Sequence, residues 1–173
     1  RVPETWKGKR VFLVVGASDW RTSGWLDGDP IGSNQGGYTP FDLELTKAAK
    51  PGRDQRLVLR VDDTPHPFKL EGKQGYGKAR GLWQTVYLEA RPAVYVEALE
   101  FHPDPALKRV EARVRLSSPA PQGAIVELKV STGGPGDPPF SQAQAQALVA
   151  VGGREARLTL PLGERPRLWS LED

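Results

Sequence analysis

Trp20, Trp25, Tyr38, Tyr76 and Trp83 all stand close to Gly, Asp, Arg, Asn or Gln in the sequence. That mixture suits carbohydrate: a sugar ring offers a C–H face that stacks on an aromatic ring, and hydroxyls that need fixed polar partners. Trp25 and Trp83 lie inside stretches of alternating polarity, which predicts core positions for both. Trp20 and Tyr76 lie in non-alternating loops, where packing and ligand stacking are equally good readings. Other chemistries find less support. The two histidines, His66 and His102, each stand beside a proline and far from one another. They do not make a zinc site, which takes three or four ligands. No GxSxG elbow presents a serine nucleophile. Asp62-Asp63 and Glu71 are the carboxylates that could be paired for glycoside hydrolysis. Adjacent carboxylates on a strand point to opposite faces, however, and cannot by themselves set a separation of ~5–9.5 Å across a sugar. Asp62-Asp63 reads instead as a strand end with an Asx-type turn before Thr64-Pro65. No Dx[DN]xDG calcium loop occurs, so no metal is assigned, and no cofactor is expected.

The elements that must position these residues are strands. RVFLVVGA (10–17) is a continuous apolar run, the pattern of a strand buried on both faces. RLVLRVD (56–62) alternates, with Leu57, Leu59 and Val61 facing inward. LWQTVYLEA (82–90) alternates as one strand, with Trp83, Thr85, Tyr87 and Glu89 on one face. In NQGGYTPFDLELT (34–46), Phe41, Leu43 and Leu45 alternate with Asp42, Glu44 and Thr46 after two glycines and a proline. SQAQAQALVAV (141–151) has helix-forming composition, yet it also alternates Ala with Gln. Asp27-Gly28 fits the centre of a type I′ hairpin turn, and Pro30 restricts the next segment to a sheet edge or strand end. Many short strands, with 19 Gly and 16 Pro to turn between them, predict an all-β fold of two β-sandwiches. The boundary is expected near Arg91-Pro92, giving domains 1–91 and 92–173; no internal repeat links them.

Composition narrows the function further. A hydrophobic content of 38% and a charged content of 26% describe a globular chain able to bury a core. The net charge of +3 is small, and KGKR at 7–10 is the only tight basic cluster, so no nucleic-acid partner is expected. No run of about 18 apolar residues would span a membrane. No signal peptide is visible, and with no cysteine the compartment stays unknown.

The order of several segments resembles the non-catalytic sandwich domains of glycoside hydrolase family 2, the family of β-galactosidases, β-glucuronidases and β-mannosidases. The segments are Gly8-Lys9-Arg10, Trp25-Leu26-Asp27-Gly28, Gly36 to Phe41 and Gly81 to Glu89, in the family's order and spacing. The resemblance implies a galactose-binding-like jelly roll over 1–91, lacking its first strands, and an immunoglobulin-like sandwich over 92–173. It implies that the family's catalytic barrel would come after them, so that this chain is not itself an enzyme. It also implies that Tyr38 packs locally. An Asp that some relatives aim at substrate falls at Gly75 here, leaving Gln74 or Tyr76 to make such a contact. The expected function is a carbohydrate-binding accessory module. Sugar would stack on Trp20 or Tyr76, with Arg21, Asn34, Gln35, Asp63 and Gln74 as hydrogen-bonding candidates. The alternative is a scaffold that orients the barrel. The expected partners are a weakly bound sugar, the catalytic barrel, and a second copy joined through an open sheet edge.

Overall fold

The computed structural model describes residues 1–64, 80–132 and 141–161. His66, Glu71, Gln74, Gly75 and Tyr76 lie outside the described residues. Among the described residues, apart from one 3-10 turn at Glu4–Trp6, every regular element is a strand, and the fold is all-β. The chain divides into two compact units, Arg1–Ala93 and Val94–Asp173.

The first unit contains β1 (Arg10–Val15), β2 (Ser18–Asp19), β3 (Arg21–Leu26), β4 (Asp29–Gln35), β5 (Phe41–Glu44), β6 (Leu57–Asp62), β7 (Gly81–Leu82) and β8 (Val86–Arg91). They form the antiparallel sheets β5-β1-β8 and β4-β3-β6 and the small pair β2-β7. Strand β1 is central, and its unbroken apolar run is used on both faces. Val11, Leu13 and Val15 enter the core with Leu26, Leu43 and Leu45. Phe12 faces the other way yet is only 4% exposed. Two guanidiniums cover its ring, Arg91 at 4.1 Å and Arg10 at 5.2 Å from the centroid. Carboxylates on the flanking strands hold both cations: Arg10 forks onto Glu44 at 3.0 and 2.7 Å, and Arg91 reaches Asp42 at 2.6 Å and Glu89 at 3.1 Å. Aliphatic core and charged lid thus seal the same strand from opposite sides.

The lid makes stability pH-dependent. The hydrogen bond from Arg10 holds the Glu44 carboxyl below the usual carboxylate range, and Arg91 does the same for Glu89. Depressed carboxyl pKa values contribute stability above the unfolded value of about 4.3, and that contribution is lost as pH falls through the folded value. Glu44→Gln should therefore melt below the native chain at neutral pH, with the gap closing under acid. Because Glu44 is partly exposed, solvent screening limits the effect to the order of 0.5 kcal/mol. Melting curves from pH 7 to about pH 3 test this; a gap that does not change with pH would refute it.

The Asp27-Gly28 turn joins β3 to β4 with φ of 52° and 96°, both in the left-handed region that the type I′ turn needs. The Asp27 carboxylate also accepts from the Arg56 amide at 2.7 Å and the Gln55 side chain at 2.9 Å, tying the turn to the start of β6. Pro30 sits in edge strand β4, as its missing donor requires. In β5 the alternation holds, with Leu43 and then Leu45 buried while Asp42 and Glu44 stay exposed. Residues 82–90 do not form one strand. Pairing breaks at 83–85, separating β7 from β8, and Trp83 is 38% exposed, not a core residue. Its indole N–H instead donates to the Gly37 carbonyl at 2.8 Å, a partner 46 positions away.

The second unit contains β9 (Val96–Asp104), β10 (Arg109–Leu116), β11 (Ala124–Thr132), β12 (Ser141–Val149) and β13 (Glu155–Pro161). The sheets are β9-β10-β13 and β11-β12. The Ala/Gln stretch is strand β12: Ala143, Ala145 and Ala147 pack toward the core, while Gln144 and Gln146 stay outside and bond Glu127. Period two wins over helical composition because the small face has a core to cover.

Candidate functional site

Among the described residues, the predicted polar side chains Arg21, Asn34, Gln35 and Asp63 lie at one end of β4-β3-β6. Arg21, the first residue of the central strand β3, stands opposite Gln35 on β4 and Asp62 on β6. Residues aligned across neighbouring strands share a face, so Gln35, Arg21 and Asp62 form a row with about 4.8 Å between strands. Asn34 lies opposite Thr22, which is fully buried, and so belongs to the other face. The structure therefore parts Asn34 from Gln35, and one flat ligand on the outer row reaches only the latter. Trp20 lies just beyond the strand, half-buried, and its carbonyl accepts from the Gly36 amide at 3.0 Å.

Asp62 is locked by Thr64, whose amide and hydroxyl both donate to it, at 3.0 and 2.6 Å. This is the Asx-type turn read from the sequence. The Thr64 hydroxyl, then its amide, hold the Asp62 carboxyl below its ordinary range; Arg60 and Arg21 add to the effect. These bonds favour the carboxylate form of Asp62, the form that accepts from ligand hydroxyls. Its neighbour Asp63 pairs with Arg80 at 3.2 Å and is mostly shielded, with 19% of its side chain exposed. Asp63 belongs to the same end of the sheet, but its carboxylate is already committed to a cation.

Asp19 is a residue that sequence reasoning missed. At 3% exposure it is the one buried carboxylate among the described residues, carried on β2 beside buried Ser18 and Thr22, whose hydroxyls bond at 2.6 Å. A Cβ on Gly37 would come within 3.1 Å of the Asp19 carboxylate, so glycine lets the 36–40 loop close over it. The same loop carries Tyr38, which meets Trp83 edge-on at 5.5 Å yet remains 52% exposed. A buried acid beside a half-buried tryptophan had one signal, the polar pair Ser18-Asp19 coming directly after an apolar strand. Only the tertiary fold shows that it is covered.

The fold and this site define a class: an all-β chain of two strand-built units, with a polar, aromatic-flanked sheet end in the first. No family model matches the chain. Its sequence relatives are β-glucuronidases and β-galactosidases of glycoside hydrolase family 2, and the chain is homologous to a part of these enzymes. It is 34% identical over 62 residues to a β-glucuronidase of Paenibacillus borealis, covering 36% of this chain and 10% of that protein. It is 27% identical over 104 residues to a β-galactosidase of Thermoanaerobacter pseudethanolicus, covering 58% of this chain and 14% of that one. Among solved structures, the FMN-binding β-glucuronidase of Faecalibacterium prausnitzii superposes with a TM-score of 0.71 at 17% identity, over 96% of this chain and 26% of that one. The β-glucuronidase of Dictyoglomus thermophilum gives 0.67 at 18% identity, over 99% and 30%. The chain thus spans a minor part of each relative, and at these identities the structural likeness speaks to fold alone.

Proposed function

We propose that the chain is a carbohydrate-binding accessory module of a family 2-like glycoside hydrolase. Its first unit acts as the galactose-binding-like jelly roll and its second as the immunoglobulin-like sandwich. The observation that carries the reading is the outer row Gln35–Arg21–Asp62 lying beside half-buried Trp20. Amide, guanidinium and carboxylate side by side offer donors and acceptors in the mixture that vicinal hydroxyls require, with a ring at the row's end for a sugar face. The row is open to solvent, so affinity is on the order of millimolar. Asp63 serves by orienting Arg80, and Asn34 supports the strand end from the other face. Gln74 and Tyr76 remain ligand-contact candidates in this reading.

Methyl β-glucuronide and methyl β-galactoside, named for the relatives' substrates, are the first ligands to titrate, by chemical-shift perturbation of the intact chain. Trp20→Ala should weaken binding about tenfold, the size of one lost stacking contact, with circular dichroism unchanged. Shifts absent with both sugars, or equal in the variant, would sink the binding reading. The small share of each relative that the chain covers favours a second reading, a scaffold that orients the catalytic barrel of the parent enzyme and has no sugar site of its own. On either reading a chromogenic glycoside should not turn over.

A further inference from the structure

Tyr38 and Trp83 leave 52% and 38% of their surface open to solvent, although the chain behind them is firmly held. The Trp83 amide donates to the Ala17 carbonyl at 3.3 Å, and its indole N–H donates to the Gly37 carbonyl at 2.8 Å. Gly37 is buried against the Asp19 carboxylate, and the Gly36 amide donates to the Trp20 carbonyl at 3.0 Å. The loop is therefore fastened on both sides of the Gly36-Gly37 bond, and Tyr38 follows directly. Its ring meets that of Trp83 at 65°, with centroids 5.5 Å apart. Two rings at that angle make a corner, and the hydrogen bonds set it before any ligand arrives, which lowers the cost of binding.

Size limits what can fill this corner. The exposed parts of the two rings, with Leu82 beside them at 44%, amount to roughly 300 Å². A stable protein interface takes about 800 Å² from each partner. The corner is too small for a protein, but it matches the C–H face of a sugar ring. The segments that carry it, 37–40 and 81–85, hold no charged residue. Thr39, Gln84 and Thr85, the exposed sequence neighbours of the two rings, offer hydroxyls and an amide.

We infer that the Tyr38–Trp83 corner is a stacking site for an uncharged pyranose, which lays its C–H face on the indole and turns an edge to the Tyr38 ring. The inference rests on the sugar-binding reading above and adds two rings that neither Trp20 nor the Gln35–Arg21–Asp62 row includes. Charge selects the class of sugar. The face of an aromatic ring is the negative side of its quadrupole and repels a carboxylate. The Trp83 N–H that could answer an anion is committed to Gly37. Arg80, the cation nearest in sequence, is paired with Asp63 at 3.2 Å.

Chemical-shift titration of the intact chain with methyl β-galactoside and methyl β-glucuronide tests the inference through the Trp83 indole resonance, assigned by its loss in Trp83→Phe. The neutral sugar should move that resonance, and the glucuronide at equal concentration should move it less. Tyr38→Ala should weaken galactoside binding about fivefold and Trp83→Ala about tenfold. Tyr38→Phe, which keeps the ring, should bind within about twofold of the native chain. If Trp83→Ala fails to fold, the contrast between Tyr38→Ala and Tyr38→Phe decides. Galactoside binding that falls in Trp20→Ala yet is unchanged in Tyr38→Ala and Trp83→Ala overturns the inference and leaves the sugar-binding reading standing. A resonance moved more by the glucuronide overturns the choice of an uncharged ring. No shift with either sugar removes both readings.

Discussion

Phe12→Ala should destabilise the first unit by about 3–5 kcal/mol, the range for deleting a buried aromatic ring. The ring looks away from the aliphatic core, and a count of core leucines and valines would pass over it. At 4% exposure it is nevertheless as sealed as the core residues, and its cover is two guanidiniums held in place by Glu44, Asp42 and Glu89. Removing the ring leaves those cations above a void and forfeits two cation–π contacts worth roughly 0.5–1 kcal/mol each at partly exposed sites. Phe12→Leu keeps most of the apolar volume and should cost only about 1–1.5 kcal/mol. Trp6, Trp20, Trp25 and Trp83 all belong to the first unit. Urea unfolding followed by tryptophan fluorescence therefore reports mainly on that unit. A cost below about 1 kcal/mol for Phe12→Ala would show that the charged lid does not bury the ring in solution.

What was legible in the sequence was whatever rests on local rules. The alternation of Leu43 and Leu45 with Asp42 and Glu44 comes from a period of two meeting a one-sided core, and the structure keeps it. Asp27-Gly28 was readable because few residue pairs tolerate two positive φ angles in succession. Thr64 bonding back to Asp62 is likewise contained within three residues. Trp83 was misread because alternation continues through 83–85 while the pairing does not. Its hydrogen bond to Gly37 crosses 46 positions, a distance no local pattern encodes. The site shows the same division. Arg21 and Gln35 were legible as hydrogen-bonding candidates, and their alignment with Asp62 needed the register of three strands. The separation of Asn34 from Gln35 was available in principle from the two-residue period, since adjacent residues on a strand face opposite ways. Asp19 was out of reach, because its burial depends on the 36–40 loop folding back over it.

The second unit offers a test in which one residue type gives two opposite outcomes. Leu158→Ala should cost about 3–5 kcal/mol, whereas Leu148→Ala should stay within about 0.5 kcal/mol of the native chain. Leu158 is 2% exposed on β13, opposite Ala112 at 0%, while Leu148 on β12 is 76% exposed opposite Ile125. Much of the core around Leu158 is alanine: residues 112 and 156 are buried, and 143, 145 and 147 pack in from the facing sheet. An alanine cannot change rotamer to fill space, so the void left by the leucine stays open and the loss should fall toward the upper end of its range. For the same reason Ala112→Leu should be destabilising by about 1–3 kcal/mol, because close-packed neighbours leave no room for three more carbons. Thermal unfolding by far-ultraviolet circular dichroism, with the three variants compared side by side, measures all of this. Equal losses for Leu148→Ala and Leu158→Ala would mean that β12 turns its leucine inward. That one-residue shift of register would put Gln144 and Gln146 into the core and the alanines outside.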